Sequence, residues 1–474
     1  MARNECLLAV AMFVLLAGPG AIEVHAGDWK HMAQACGHAR DELRSKDASG
    51  KPIKATGAQK RADIEDCGIK FYGLTPLGPE IGSIAPQGSI GLGLRVQQTI
   101  MHPPSRSAPA DQKSRESDFT ARGLYSFSNF YLMEGRYDFR MAALGQGNAT
   151  TATFDDQIDI AVFASRLNLA KQRFYGIGED TSQFGLAEYR QLEDQFGASA
   201  DWPILAWFSG GGTLQWVRPS ILGPSNTSVP SVAVTYGDSG APGVLAQPSF
   251  MNYKAYVEVH TGSNTTQTWQ RTKLRAMYEH FTDLNSGSYT FDRMSGFATT
   301  SFDLRKGIST LTLPAWKSVF CAPMSGGQCS MGQLVFNGLV TASYTGSGKL
   351  VPFYFQPTLG GTDINGVDTL RGLGDFRLRA PNRVLLQGQF DHPVWWFFGI
   401  SGFYDVGKVA LNPGDLSLSH LRHDLGIGAY IKVQNKVVLR AYIGFGGGEG
   451  IRPNAKFPSA LWGSWAAMPM ATFP

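Results

Sequence analysis

Nowhere in this 474-residue chain do apolar residues run on for the roughly 20 positions that a membrane-spanning helix needs. A helical membrane protein is therefore not expected. The formal net charge is only +4, with no concentrated basic stripe, so nucleic-acid binding is not indicated. Five cysteines are too few for a disulfide-dense scaffold. His260, His280, His392, His420 and His423 show no zinc-ligand spacing with cysteines, and they read as polar strand ends. The glycine groups at 210–212 and 444–448 lack the lysine and the strand-to-helix context of a phosphate loop, so they read as turns and close strand packing. No metal or cofactor is expected.

What is present begins with an export signature. The 12-residue apolar run Leu7 to Gly18 follows Arg3 and precedes Val24-His25-Ala26, as in a secretory signal, so residues 1–26 are expected to be removed. Cys6 lies before the apolar run, which does not suit a lipid anchor. The remaining cysteines form an even set, compatible with two disulfides in an oxidising compartment, Cys36 with Cys67 and Cys321 with Cys329. Reduced, unrelated thiols are the alternative. Residues 27–84 carry helical composition at Trp29 to Arg44 and Gln59 to Cys67, which fits a small periplasmic cap, a lumen plug or a mobile leader.

From about Ser89 onward polar and apolar residues alternate. Glu134, Arg136, Asp138 and Arg140 share one face of a strand, with Gly135, Tyr137, Phe139 and Met141 on the other. Lys254 and Glu258 repeat the pattern in 252–260, Asp303 repeats it in 298–305, and the 424–433 stretch does so again. Arg440 joins the same set of charges. A soluble sandwich also alternates, but segments such as 89–100, 131–144 and 421–434 reach the 9–11 residues of a lipid-exposed strand with a polar interior. The predicted strands are 89–100, 117–129, 131–144, 155–166, 185–200, 205–218, 247–262, 271–283, 294–306, 331–345, 350–358, 382–393, 397–410, 420–434, 436–446 and 457–468. They define an all-β chain, a transmembrane antiparallel β-barrel of about 16 strands over residues 85–474. Long joins at 101–116, 219–246, 307–330 and 359–381 are expected outside, and short joins such as Asn435 inside.

Three segments carry a resemblance to a known family. Arg173-Phe174-Tyr175-Gly176-Ile177-Gly178-Glu179-Asp180-Thr181 is similar to the segment after the fourth strand in BamA/TamA-type outer-membrane assembly factors, the bacterial surface antigen barrel family. Val351-Pro352-Phe353-Tyr354, Leu359-Gly360-Gly361 and Thr369-Leu370-Arg371-Gly372-Leu373 resemble the approach to the loop that those proteins fold back into the barrel. Phe403-Tyr404-Asp405-Val406-Gly407-Lys408-Val409 resembles the strand bearing the loop's carboxylate partner. The resemblance implies an inward loop held by Arg371, Gly372 and Asp405. Family members often carry a second acid where Gln389 stands here, so a charged triad is not expected.

The same resemblance implies residence in the outer membrane of a Gram-negative bacterium, in contact with its lipid. It also implies insertion by the barrel assembly machinery, and a protein or lipid client inserted or translocated through a weak first/last-strand seam. Gly463 and Pro469 would weaken that seam, and Phe473 would stand for the terminal aromatic of such barrels. The family's periplasmic POTRA modules of about 75 residues find no counterpart between Gly27 and Ser89. A passive channel, selective through its lumen charges, is the alternative. Gly237-Asp238-Ser239-Gly240-Ala241-Pro242 resembles a serine-protease nucleophile segment, but no histidine base is placed to serve it, and it reads as a flexible outer loop. A barrel-borne hydrolase, and enzymatic activity in general, is not expected.

Overall fold

The structure, a computed structural model, describes residues 77–456 apart from 89, 103–114, 143–156, 206, 225–227, 262–269, 308–321, 324–327, 395–396 and 434–435. The strands are β1 (Leu77–Ser83), β2 (Ile90–His102), β3 (Arg115–Ser126), β4 (Tyr131–Ala142), β5 (Gln157–Phe174), β6 (Ala187–Leu205), β7 (Phe208–Leu222), β8 (Phe250–Thr261), β9 (Gln270–Asp283) and β10 (Phe291–Gly307). There follow β11 (Ala322–Pro323), β12 (Gln328–Thr345), β13 (Thr358–Leu359), β14 (Leu378–Arg379), β15 (Asn382–Pro393), β16 (Phe398–Ala410), β17 (Arg422–Val433), β18 (Lys436–Gly446) and β19 (Ile451–Lys456).

One sheet holds 17 of these strands; setting aside the two-residue β11, which lies against β12, sixteen are wall strands. Each wall strand pairs antiparallel with the next along the chain, from β1 with β2 to β18 with β19. The segment between β12 and β15 shows that the sheet curls. Its Ile364 packs against the Ile84, Phe130 and Leu132 cluster, and its Phe355 packs edge-on to Phe250 and tilted against Phe281 and Phe291 of β8–β10. Its Arg371 bonds Asp405 of β16, and its Gly372 bonds Asp424 of β17. A single segment can touch the same face of strands this far apart only if the sheet closes around it. The molecule is a transmembrane β-barrel with a loop folded inside.

Among the described residues β1 pairs only with β2, and β19 only with β18, through seven and six registered positions against seventeen between β10 and β12. Pro79 and Pro453 lie in these two strands, and a proline has no ladder donor, which is tolerated at an edge. Strand β1 lies within the span expected to be a leader. Its sequence Leu77-Gly78-Pro79-Glu80-Ile81-Gly82-Ser83 hides the alternation, because two glycines and a proline replace side chains that would show it.

The two faces divide as the period-two pattern demands. Ile427 is 65% exposed on the outside, as are Leu425, Ile400, Phe336, Val257 and Phe196 to lesser degrees. Tyr125, Tyr253, Tyr278, Tyr344 and Tyr404 stand exposed toward one end, and Trp202 and Trp207 toward the other, giving the two aromatic girdles of a bilayer-spanning barrel. No helix among the described residues is long and apolar enough to cross a membrane, which says nothing of strands. Ile427→Arg, a charge at mid-strand on the lipid face, is expected to cost about 2–4 kcal/mol. The check is the fraction of chain folded into lipid vesicles, read by heat-modifiable mobility; an unchanged fraction would place Ile427 elsewhere.

The end carrying the 223–249 and 346–381 segments is filled. Val232 of helix α1 (Val232–Thr235), and Ala241 and Val244 after helix α2 (Gly237–Gly240), join Val351, Phe353 and Tyr354 with Phe174, Tyr189, Phe250 and Phe291 in one apolar cluster. Residues 350–358, expected as a strand, belong to this cap. Their apolar side chains mimic strand composition, but Pro352 and Pro357 remove ladder donors, and the middle forms a single 3₁₀ turn, Phe353–Phe355. The Asp238-Ser239 segment is ordered rather than flexible, because Asp238 accepts hydrogen bonds from the Gly243 amide at 3.0 Å and the Tyr289 hydroxyl at 3.3 Å.

Antiparallel alternation corrects one further expectation. The segments after β7 and β12 share an end, whereas those after β2 and β10 lie at the opposite one, with the short join after β17. The four long joins therefore cannot all be outside.

Candidate functional site: the folded-in loop and its grip

The loop begins as a two-residue ladder, β13 against β14, and then turns on Gly360 (φ 118°) and Gly361 (φ 56°). A Cβ on Gly361 would meet the Asp375 carboxylate at 2.1 Å, so no other residue fits without moving the turn. Above it the Gly361 amide donates to the Leu370 carbonyl at 2.8 Å, and the Thr369 amide returns to the Gly361 carbonyl at 2.9 Å. Asp363 closes the far turn by accepting from the Asn365 and Val367 amides, each at 3.0 Å. These bonds make the loop a preorganised finger.

At its tip Arg371, 3% exposed, donates from Nε to Asp405 Oδ2 at 2.7 Å and from Nη2 to Oδ1 at 2.6 Å. The carboxylate of Asp405 is wholly buried, and the third guanidinium nitrogen donates to Gln389 Oε1 at 2.6 Å. The Phe403 ring lies 3.7 Å beneath the guanidinium. A guanidinium taken out of water is tolerated only when its fork is matched in this way. Asp405 lies five residues before the end of β16 at Ala410, so at about 3.4 Å per residue the tip is seated roughly 17 Å along the tilted strand from that end.

Gly372 donates its amide to Asp424 Oδ2 at 2.6 Å. Asp424 stands directly across from Asp405 in the β16–β17 register. A second acid is therefore present at the tip, on β17 rather than at the Gln389 position, where the glutamine serves as a neutral acceptor. Sequence reasoning placed Asp424 on a polar strand face but did not connect it to the loop, because only the register brings it there. Gly444 of β18 completes the seat: a Cβ there would meet the Arg371 carbonyl at 2.6 Å and Gly372 Cα at 2.8 Å.

Four more arginines, none of them singled out by sequence, hold the finger along its length. Arg377 pairs with Glu449 and donates to the Thr181 carbonyl at 2.5 Å. Arg379 reaches the Phe353 carbonyl at 2.7 Å and the Tyr189 hydroxyl at 3.1 Å. From the wall, Arg383 donates to the Thr358 carbonyl at 2.9 Å and Asp363 at 3.2 Å, and Arg293 to the Phe355 carbonyl at 2.6 Å. The Arg173–Thr181 segment follows the fifth wall strand rather than the fourth, since β1 precedes the strands expected. Its Gly178 bridges Arg379.

The lumen charges all have partners. Glu134 pairs with Arg122 at 3.2 Å, Arg136 with Asp138, and Arg140 with Asp118 at 2.9 Å. Lys254 lies 3.5 Å from Glu279, Glu258 is 2.8 Å from Lys273 and 2.6 Å from Arg275, Asp303 is 3.3 Å from Arg271, and Arg440 is 3.1 Å from Asp391. Glu80 of β1 joins this network through Arg95 at 3.5 Å and Arg122 at 3.6 Å, tying the first strand to β2–β4. Gly463, Pro469, Phe473, Cys36, Cys67 and Cys321 lie outside the described residues, as does the side chain of Cys329.

Fold and loop together define a sixteen-stranded transmembrane barrel with a latched internal finger. Comparison with protein-family models gives no match, and comparison with curated proteins gives none. Among solved structures, the chain is similar to BamA from Haemophilus ducreyi lacking POTRA domains 1–3, with TM-score 0.46 and 11% identity over 88% of this chain and 80% of that one. It is also similar to CdiB from Acinetobacter baumannii, with TM-score 0.43 and 10% identity over 81% of this chain and 59% of that one, so it spans less than two thirds of that protein. At these values the likenesses carry no functional argument. The chain's own geometry has to carry it.

Proposed function

We propose that the chain is an outer-membrane barrel of the assembly-factor type, which inserts or translocates a protein or lipid client through the seam between β1 and β19. It would act without catalysis of its own. The observation that carries the reading is the position of the latch. The finger tip seats on β16, β17 and β18, beside the last described strand pair, and Arg377 pairs with Glu449 in the β18–β19 turn. Prolines in both seam strands weaken the ladder where opening would occur.

A passive channel is the second reading, favoured by the charged lumen. Its charges, however, pair with one another, and one mouth is filled by the Phe353 cluster, so conduction would require the cap and finger to move. The test joins cysteines placed in 77–83 and 451–456 in a strain that depends on the chain. Oxidation is expected to abolish growth or envelope integrity, and reduction to restore it. Full activity with the seam covalently closed would remove the insertion reading, and steady single-channel conductance from that closed form would favour the channel.

A further inference from the structure

The outer face of the barrel is mostly apolar, yet the row across β5, β6 and β7 is charged. Arg166 of β5, Asp194 of β6 and Arg218 of β7 occupy registered positions on three adjacent strands. They share the outward face with Phe196, which is 61% exposed, and with Trp216, the next outward pair on β6 and β7. Neighbouring strands are about 4.8 Å apart, so the two arginine backbones stand roughly 10 Å from each other, close enough for both long side chains to meet one small anion. They border a cavity of about 390 Å³, completed by Leu192, Pro219, Ser220 and Gln247.

The row has two guanidiniums and one carboxylate, a net charge of plus one. Arg166 Nε lies 3.6 Å from Asp194 Oδ1, whereas Arg218 is exposed and has no ion-pair partner among the described residues. Arg190, next on the same face of β6 beyond Leu192, adds a further positive charge and donates to Asn168 at 2.7 Å. Asn168 is registered with Tyr131, at the level where the aromatic residues Tyr125 and Tyr131 pair across β3 and β4. The cavity therefore sits where hydrocarbon gives way to headgroups. A guanidinium fork matches phosphate oxygens in a bidentate way and is weakly hydrated, so it suits this boundary.

We infer that the Arg166/Asp194/Arg218 cavity binds the phosphate headgroup of an anionic membrane lipid whose acyl chains lie along Phe196 and Trp216. The lipid source follows from continuity: the cavity opens directly onto the barrel's apolar belt, whereas a soluble phosphate would gain nothing from that surface. The site would fix the barrel's depth and rotation on its β5–β7 side, away from the β1/β19 seam, and does not depend on the proposed function.

The test is native mass spectrometry of the full chain in detergent, titrated with phosphatidylglycerol or with phosphatidylcholine of the same acyl chains. Heat-modifiable mobility reports folding of each variant. The wild-type chain should retain phosphatidylglycerol, and Arg166→Gln with Arg218→Gln should retain it about tenfold less well, a loss on the scale of one or two charge-assisted contacts. Asp194→Asn should retain it at least as well as wild type, and millimolar inorganic phosphate should not displace it. Arg218→Gln alone, at an exposed position, should fold and give a partial loss even if the double variant does not. Equal retention of both lipids, unchanged retention in Arg218→Gln, or displacement by inorganic phosphate would overturn the inference.

Discussion

Arg371→Ala is expected to free the finger from the barrel, at a cost of about 3–5 kcal/mol, the range for breaking a buried pair by removing one partner. The effect should exceed that of Asp405→Asn. Loss of the guanidinium leaves Asp405 facing Asp424 across the β16–β17 register with no cation between them, whereas loss of the Asp405 charge leaves Arg371 close to Asp424 and still bonded to Gln389. Replacing both residues together, as in Arg371→Met with Asp405→Leu, should be milder than Arg371→Ala, because Asp424 is then the one acid left at the tip and it keeps the Gly372 amide as its donor. Protease accessibility of residues 360–380, set beside heat-modifiable mobility of the barrel, checks the order. If Arg371→Ala leaves the loop as protected as in wild type, the latch is decorative.

Gly444→Leu should give the same released finger by shape instead of charge. Backbone atoms of Arg371 and Gly372 occupy the space that any Cβ on residue 444 needs, so the tip must lift, while the β17–β18 ladder has no reason to break. Overpacking of this kind costs about 1–3 kcal/mol and sometimes more. Gly402→Ala on β16, where an added Cβ meets nothing within 4 Å, is the control and should leave the loop in place. Protection of the loop in Gly444→Leu equal to that in the control would mean the tip does not rest on β18.

These two predictions depend on features of unequal visibility in the sequence. Alternation made the wall readable because lipid and lumen demand opposite side chains at successive positions, and Leu425, Ile427 and Ile431 against Asp424, Gly426 and Tyr430 show that cleanly. Arg371 and Asp405 were readable through short motifs that resemble a family's loop and strand. Asp424 and Gly444 were not, since their meaning depends on register: each looks ordinary on its own strand and becomes part of the seat only when β16, β17 and β18 align. Strand β1 was hidden by its glycines and proline. Residues 350–358 failed for the opposite reason: an aromatic run that suits a strand packs instead as the cap, where Phe353 lies edge-on to Phe174 and Tyr189. Which joins share an end follows from strand parity: the expected strands already put 219–246 opposite 101–116 and 307–330, and the false strand at 350–358 reversed the end of the join after it.

The central claim is that the finger tip is bonded to the inside of the barrel wall. Hydrogen exchange on the full chain in lipid nanodiscs tests it without altering a residue, because the Arg371 and Gly372 amides donate to Asp405 and Asp424 at 3.3 and 2.6 Å. Those two amides should exchange as slowly as the ladder amides of β16, and become fast in Arg371→Ala while the β16 amides stay slow. Exchange of residues 370–373 as rapid as that of the exposed 411–421 turn in the unaltered protein would contradict it.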